Sequence, residues 1–562
     1  MVKLPKWQVF LVLIGLLLLG VACDNANPTL SESPSMQPTF TPFQPIKPTS
    51  ADETGTVLPV HTPDIQFGNS SKEIGTSQTV YFSPAVPESF RVNFPLPKEW
   101  QISDKPENSI LQIIPSMEGA ISWVYALVAP FPTVEDGTTL EDLIRIWRGD
   151  DTHVLLVTPD TYHAMIWLLG QSGNNVVQVR SNEELLSRAW QEHTLAIIPF
   201  EEITPRWKVL QVGGKSPLAK GEIQNYALEV HFAVKSESPL PEGTFQWLLE
   251  HRTNRDPGSM TVLMLTGTTA LVRAIGWKME TMGMSYPARD ILDWLLEPDF
   301  LHISNEVSFN PQCPPADPNQ TSLMFCSRPE YLDLFRAIDV EIIELSGNHN
   351  NDWGRNAFAY SLEQFQKEGW LWYAGGQNAQ EASQPLLLEH NGNRIALLGC
   401  NHAGPPTVWA TEDEPGAAKC DFDLLENQIQ SLREEEYLPV ITLQHSEVYQ
   451  SPPSDTQVRD FRRLAQAGAV IVSGSQAHFP QVMEFYEGAF IHYGLGNLFF
   501  DQMDIPVQGT RREFLDRHVF YKGKHINTQL YTAMLEDYAR PRPMTAEERG
   551  EFLRAIFDAG GW

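Results

Sequence analysis

The stretch that decides the fold is Val340-Glu-Ile-Ile-Glu-Leu-Ser-Gly-Asn-His-Asn-Asn-Asp352. A short, largely apolar run closed by a Ser-Gly turn reads as a buried strand, so the polar residues after it fall at the strand's C-terminal edge. The pattern returns at Ala469-Val-Ile-Val472, which runs into Ser473-Gly-Ser-Gln-Ala-His478. In an open α/β sheet that edge is where ligands bind, so His349 and His478 mark a candidate active site.

Working outward, further strand patterns occur at Thr261 to Leu265, Phe300 to Ile303, Arg394 to Leu398 and Val440 to Leu443. Between them lie amphipathic helix faces: Tyr331, Phe335, Ile338; then Phe358, Leu362, Phe365; then Val458, Phe461, Leu464, Ala465, with Ser454 and Asp455 as cap candidates. The alternation predicts an α/β domain over 258–540, a mostly parallel or mixed sheet covered by helices. A helix capped by Thr545 and Glu548 follows in 541–562. Phe490 to Phe500 reads as a core strand and a tight glycine turn.

On this reading four strand ends deliver polar groups to one sheet edge: Asn305 and Glu306; Asn348, His349 and Asp352; His445 and Glu447; Ser475, Gln476 and His478. Imidazole and carboxylate ligands suit Mn, Zn or Fe, and one divalent ion would supply Lewis acidity and an activated water. The expected ligands are His349, His445 and His478, with oxygens from Asn305, Glu306 or Asn348, while Asp352 orients His349. His349, Asp352, His445 and Glu447 are the candidate catalytic groups, and Asn305, Gln476 and Asn497 the candidate substrate contacts. The alternative is a hydrogen-bonded cluster that binds a sugar or peptide without metal.

The order of these motifs resembles the CapA family of poly-gamma-glutamate and capsule synthesis proteins, whose fold is similar to the calcineurin-like metallophosphoesterases. The matching elements are Gly267-Thr268, Asn305-Glu306, Gly347-Asn-His-Asn-Asn-Asp352, His445-Ser-Glu-Val-Tyr449, Gly474-Ser-Gln-Ala-His478 and Tyr493-Gly-Leu-Gly-Asn-Leu498. The resemblance implies action on a capsule or polyglutamate-type polymer, with metal-dependent hydrolysis as one form of it. Two departures weaken the catalytic implication. Thr268 stands where the family has an aspartate ligand, and Gln476 where it has a histidine. A non-catalytic polymer- or solute-binding protein with a degenerate metal site therefore stays open beside the hydrolase.

The N-terminus predicts where the chain works. Lys3 and Lys6 precede an apolar run from Val9 to Val21, the shape of a signal-peptide core. Val21-Ala-Cys23 resembles the lipobox of bacterial lipoproteins, although Gly20 stands where leucine is usual. The expectation is a signal over 1–23, a lipid on Cys23, and a protein held at the extracytoplasmic face of the cell membrane. A Pro/Ser/Thr-rich tether spans 24–75. An exported chain with short cysteine spacings predicts two disulfides, Cys313 with Cys326 and Cys400 with Cys420.

Residues 76–257 read as a smaller α/β domain. Thr139 to Gly149, and Leu195 to Phe200 with Trp207 to Leu210, resemble the type II periplasmic solute-binding fold. A net charge of −30 over 562 residues and a pI near 4.8 exclude a nucleic-acid surface, which needs clustered cations. For a polyanionic partner the sequence offers one candidate basic patch, Arg511, Arg512 and Arg517.

Overall fold

A computed structural model describes residues 78–240 and 242–562. The signal segment, Cys23 and the tether to residue 75 lie outside the described residues. Among the described residues no helix is long and apolar enough to cross a membrane.

The motif-bearing half contains two large sheets and a two-stranded ribbon, Gly375–Gly376 with Gly416–Ala417, rather than the single sheet expected. In the first, Leu371–Tyr373, Ile342–Glu344, Phe300–Asn305 and Met260–Thr266 run parallel. A long antiparallel hairpin, Arg512–Tyr521 with Lys524–Glu536, then extends the sheet beside Met260–Thr266. In the second, Asn393–Asn401, Leu438–Gln444, Ile471–Ser473 and Ala489–His492 run parallel between antiparallel edge strands.

The sheets pack face to face. Leu263, Leu265, Ile342 and Phe514 from the first meet Leu397, Val440, Ile471 and Phe490 from the second in one apolar cluster. Burial on both faces explains why these strands read as continuous apolar runs. Helices Arg273–Met282, Leu332–Ala337 and Arg355–Glu368 cover the outside of the first sheet. Phe422–Glu434 and Asp455–Ala467 cover the second. The last of these starts from a full capping box between Ser454 and Gln457, so Ser454 is the cap and Asp455 the first helical residue.

The N-terminal part is a mixed ten-stranded sheet with helices Leu140–Arg148, Pro159–Leu169 and Asn182–Glu192. Its core cluster continues across residue 257 to Met260, Val519, Tyr521 and Ile526, so the hairpin of the second half completes the core of the first. The expected disulfides are both formed, with Cα separations of 5.8 Å for Cys313–Cys326 and 4.9 Å for Cys400–Cys420. The candidate arginines do not form a basic patch. Arg517 is buried in an ion pair with Glu297, Arg511 pairs with Glu536, and Arg512 lies over the Phe552 ring. Charges buried this way are structural, because taking an unpaired guanidinium out of water is costly.

Candidate active site

The polar ends of both sheets meet across their shared edge. Strand Phe300–Asn305 delivers Asn305 and Glu306, and Ile342–Glu344 leads into the loop that carries Asn348 and His349. These loops touch so closely that only glycine fits. A Cβ on Gly347 would stand 2.5 Å from Glu306 Cα, and one on Gly474 would overlap the Tyr493 carbonyl. The two-residue strand Thr268–Thr269 pairs with both Phe300–Asn305 and Asn497–Phe499, which fixes Thr268 and Asn497 near the same point.

His478 is held in one tautomer. The Asn497 amide donates to the His478 and Thr510 carbonyls at 3.3 and 3.1 Å, so its oxygen faces His478 Nδ1, 2.8 Å away. Nδ1–H must donate there, which leaves Nε2 free for chemistry. That nitrogen lies 3.6 Å from Glu306 Oε1 and 3.7 Å from Glu447 Oε1. The ring stacks on Phe500 at 4.7 Å.

His349 is oriented by Asp352, as the spacing suggested: Nδ1 lies 2.7 Å from Asp352 Oδ2, which also accepts the Phe325 N–H at 2.9 Å. Burial opposes charging of this imidazole. The Asp352 hydrogen bond and the charges of Glu306, Asp352 and Glu447 outweigh burial and raise its pKa above the ordinary value. A histidine poised this way can hand a proton to a leaving group near neutral pH.

The site also holds oxygens with nothing to bind. Glu306 is fully buried, yet neither carboxyl oxygen has a hydrogen-bond partner. Thr268 Oγ1, Asn348 Oδ1 and Gln476 Oε1 are likewise buried and unpaired, Gln476 having committed its amide nitrogen to Ser304 Oγ at 2.7 Å. Buried polar atoms are normally paired, so such a group points to a cation or water. One carboxylate, one imidazole and neutral oxygens would suit a single divalent ion better than a pair, since Thr268 and Gln476 bring no charge. Asn305 likewise commits its amide nitrogen, donating to the Val307 carbonyl at 2.9 Å.

His445 has different neighbours. Its Nε2 lies 3.0 Å from Asp460 Oδ2 and its ring stacks on His402 with centroids 4.3 Å apart. Burial first, then the neighbouring His402 and Arg459, lowers its pKa against the pull of Asp460. The structure thus brings His349, His478, Glu306 and Glu447 together and turns His445 toward a helix.

Sequence reading missed a buried relay directly behind the site. Glu344 accepts from Ser346 and Ser475 hydroxyls at 2.6 and 2.7 Å, and its other oxygen lies 3.5 Å from His302 Nε2. Tyr373 links His302 to Thr442 at 3.0 and 2.8 Å. Burial works against ionisation of Glu344, but the His302, Ser346 and Ser475 contacts prevail and hold its pKa low. The available signal was a glutamate inside an otherwise apolar strand.

In front of these residues opens a cleft of about 850 Å³, lined by His349, Glu447, Tyr449, His478, Trp277 and Tyr538 among others. Its cations are already matched. Arg273 lies between the Phe325 and Phe500 rings and pairs with Asp501, and Lys278 pairs with Asp537 at 2.6 Å.

The architecture is a metallophosphoesterase-like sandwich of two mixed sheets between helix layers, with its polar centre at the strand ends. Residues 262–502 match the family model described as the bacterial capsule synthesis protein PGA_cap. The chain is 26% identical over 263 residues to the capsule biosynthesis protein CapA of Bacillus anthracis, covering 45% of this chain and 62% of that one. It is 25% identical over 174 residues to the PGA biosynthesis protein CapA of Bacillus subtilis, covering 31% and 46%. The chain therefore spans less than two thirds of the length of either relative. Among solved structures, an ABC-type phosphate transport receptor from Vibrio cholerae matches 32% of this chain and 94% of its own, at 14% identity and TM-score 0.25. The Haemophilus influenzae NAD nucleotidase matches 53% and 56%, at 9% identity and TM-score 0.29. Likenesses at such scores carry no argument about this chain.

Proposed function

We propose that this protein acts in the synthesis, export or anchoring of a capsule-type surface polymer, and that its cleft is a metal-dependent hydrolytic centre using one divalent cation, Mn, Zn or Fe. The observation that supports this most directly is Glu306: a buried carboxyl, unpaired at both oxygens, 3.6 Å from the free nitrogen of His478. In this reading Glu306 and His478 hold the ion, with neutral oxygens from Thr268, Asn348 or Gln476. Such an ion supplies Lewis acidity and lowers the pKa of a bound water. His349, kept protonated by Asp352, delivers the proton to the leaving group, and Glu447 lies within reach of the same substrate. Metal content measured after equilibration with Mn²⁺ or Zn²⁺ tests it. Wild type should retain an ion that Glu306→Gln and His478→Ala lose together with phosphoesterase activity. Variants that bind metal as wild type does would end the reading.

The charge inventory of the cleft favours a second, non-catalytic reading for the polymer itself. Arg273 and Lys278 are neutralised by Asp501 and Asp537, while Glu306 and Glu447 add negative charge, so a polyanion gains nothing by entering. Exposed Trp277 and Tyr538 offer flat apolar faces to a neutral glycan. Glycan binding that persists in chelator, without hydrolysis, would select this alternative. Either reading has the chain lipid-anchored through Cys23 on the extracytoplasmic face, which the disulfides support. Loss of fatty-acid labelling in Cys23→Ala checks the anchor.

A further inference from the structure

We propose that His402, His445 and Asp460 form a second cation site, separate from the Glu306 centre and suited to a borderline divalent ion such as Zn²⁺. It stands on its own residues and does not depend on whether the cleft is catalytic.

The site follows from strand register. Asn393–Asn401 and Leu438–Gln444 are parallel neighbours, with Asn401 opposite Gln444. The next residue of the first strand, His402, and of the second, His445, therefore emerge side by side. The backbone there is fixed. His402 N–H donates to the Gln444 carbonyl at 2.8 Å, and the Cys400–Cys420 disulfide ties down the strand two residues earlier. The Asn401 side chain donates to the Ser346 carbonyl at 2.8 Å and accepts from Gly404 N–H and Trp409 Nε1 at 2.6 and 3.0 Å.

The third ligand comes from the covering helix. Asp460 is 3% exposed, and while Arg459 occupies its Oδ1 at 2.8 Å, its Oδ2 faces His445 Nε2 at 3.0 Å. One ligand atom from each of His402, His445 and Asp460 lies within 4.8 Å of the others, the sole such His/Cys/Asp/Glu group among the described residues. Metal–ligand bonds of about 2.1 Å require a slight closure of this set. His402 is exposed, and a side-chain rotation out of its stack on His445 and its edge contact with Phe422 is what aims a ring nitrogen at the other two. His445 Nδ1 is buried without a partner, so neither ring nitrogen is committed to backbone. Two imidazoles and one carboxylate are a nitrogen-rich set for Zn²⁺, and three protein ligands leave a position open to water or substrate. The cleft centre, in contrast, is richer in oxygen.

Zn²⁺ titration of the full chain by calorimetry, on wild type, His402→Ala, Asp460→Asn and Glu306→Gln, tests the assignment. His402→Ala removes an exposed side chain, and an unchanged melting curve without metal confirms that it folds. The expected result is a class of zinc site weakened at least about 10-fold in His402→Ala and Asp460→Asn and intact in Glu306→Gln. Co²⁺ loading should give a visible absorption band that follows the same pattern. Zinc binding that His402→Ala leaves unchanged would overturn the proposal, as would a wild type whose zinc binding is lost entirely in Glu306→Gln. Loss in Glu306→Gln alone would support the cleft cation while refuting this one.

Discussion

Glu341, one residue before the strand Ile342–Glu344, accepts the Leu301 N–H at 2.6 Å. Burial first, with Asp339 adding to it, pushes its pKa up to about 7 against that hydrogen bond and Lys220. In the unfolded chain a glutamate titrates near ~4.3. A raised folded pKa means stability that is fully present below the unfolded value and lost as pH rises through about 7. Glu341→Gln, whose amide oxygen still accepts from Leu301, should therefore stabilise the protein at pH ~8 by about 1–2 kcal/mol after solvent screening, and hardly at all at pH ~4. Urea unfolding at the two values reads the difference, and equal gains at both would refute the assignment. This residue also shows what a sequence hides. Glu306 and His349 were legible because they follow apolar runs at glycine turns. Glu341, Glu344 and His302 sit within or beside such runs, where a charged residue in a buried strand and one on a solvated face look alike. Asp460 carried no signal at all, because its partner His445 lies on a different element.

At the scale of elements, most parallel strands of both sheets were legible because burial on two faces leaves an uninterrupted apolar signature, while the part-exposed edge strand Leu371–Tyr373 was not. The hairpin Arg512–Tyr521 with Lys524–Glu536 was not. Asp516, Arg517, His518, Asn527, Thr528 and Gln529 are all buried and break that signature. Several find partners that no local pattern announces: Arg517 in Glu297, Asp516 in His492, and Asn527 in the Trp207 carbonyl. The assignment of all strand ends to one sheet failed for a related reason, since local periodicity does not say which strands are neighbours. One surface element bears directly on the cleft. The segment closed by Cys313–Cys326 has a sequence separation of 13 and supplies Pro318, Asn319, Gln320, Leu323 and Phe325 to the cleft wall. Replacing both cysteines by alanine should cost about 3 kcal/mol by chain entropy and loosen this wall. Faster proteolytic nicking within 313–326 and weaker polymer binding, with the Glu306 cation retained, are the expected outcomes. A double variant with unchanged unfolding midpoint and binding would show the wall holds without its staple.

At the scale of the molecule, the expected division near residue 257 meets a core that crosses it. Met260, Val519, Tyr521 and Ile526 belong to the apolar cluster of the N-terminal sheet, and Phe131 from that part packs against Phe485, Phe490 and Trp562. Polar contacts repeat the crossing. Arg549 of the last helix pairs with buried Asp136 at 2.7 Å and Lys208 reaches the same carboxylate at 2.7 Å, so the net charge of that cluster is shared between the two parts. Burial drives the Lys208 pKa down to about 8, and Arg549 adds to the fall while Asp136 resists it. Cutting the chain at 257 would expose Val519, Tyr521 and Ile526 of the second half and separate Arg549, in the same half, from Asp136. Each fully exposed apolar side chain forfeits about 1.5–3 kcal/mol, so the three together are comparable to the whole stability of a domain. Residues 258–562 expressed alone should therefore be aggregated or molten, whereas 78–562 should unfold in a single calorimetric transition. A soluble 258–562 fragment with a cooperative melt and retained cation binding would show instead that the family domain stands by itself and that the crossing core is dispensable.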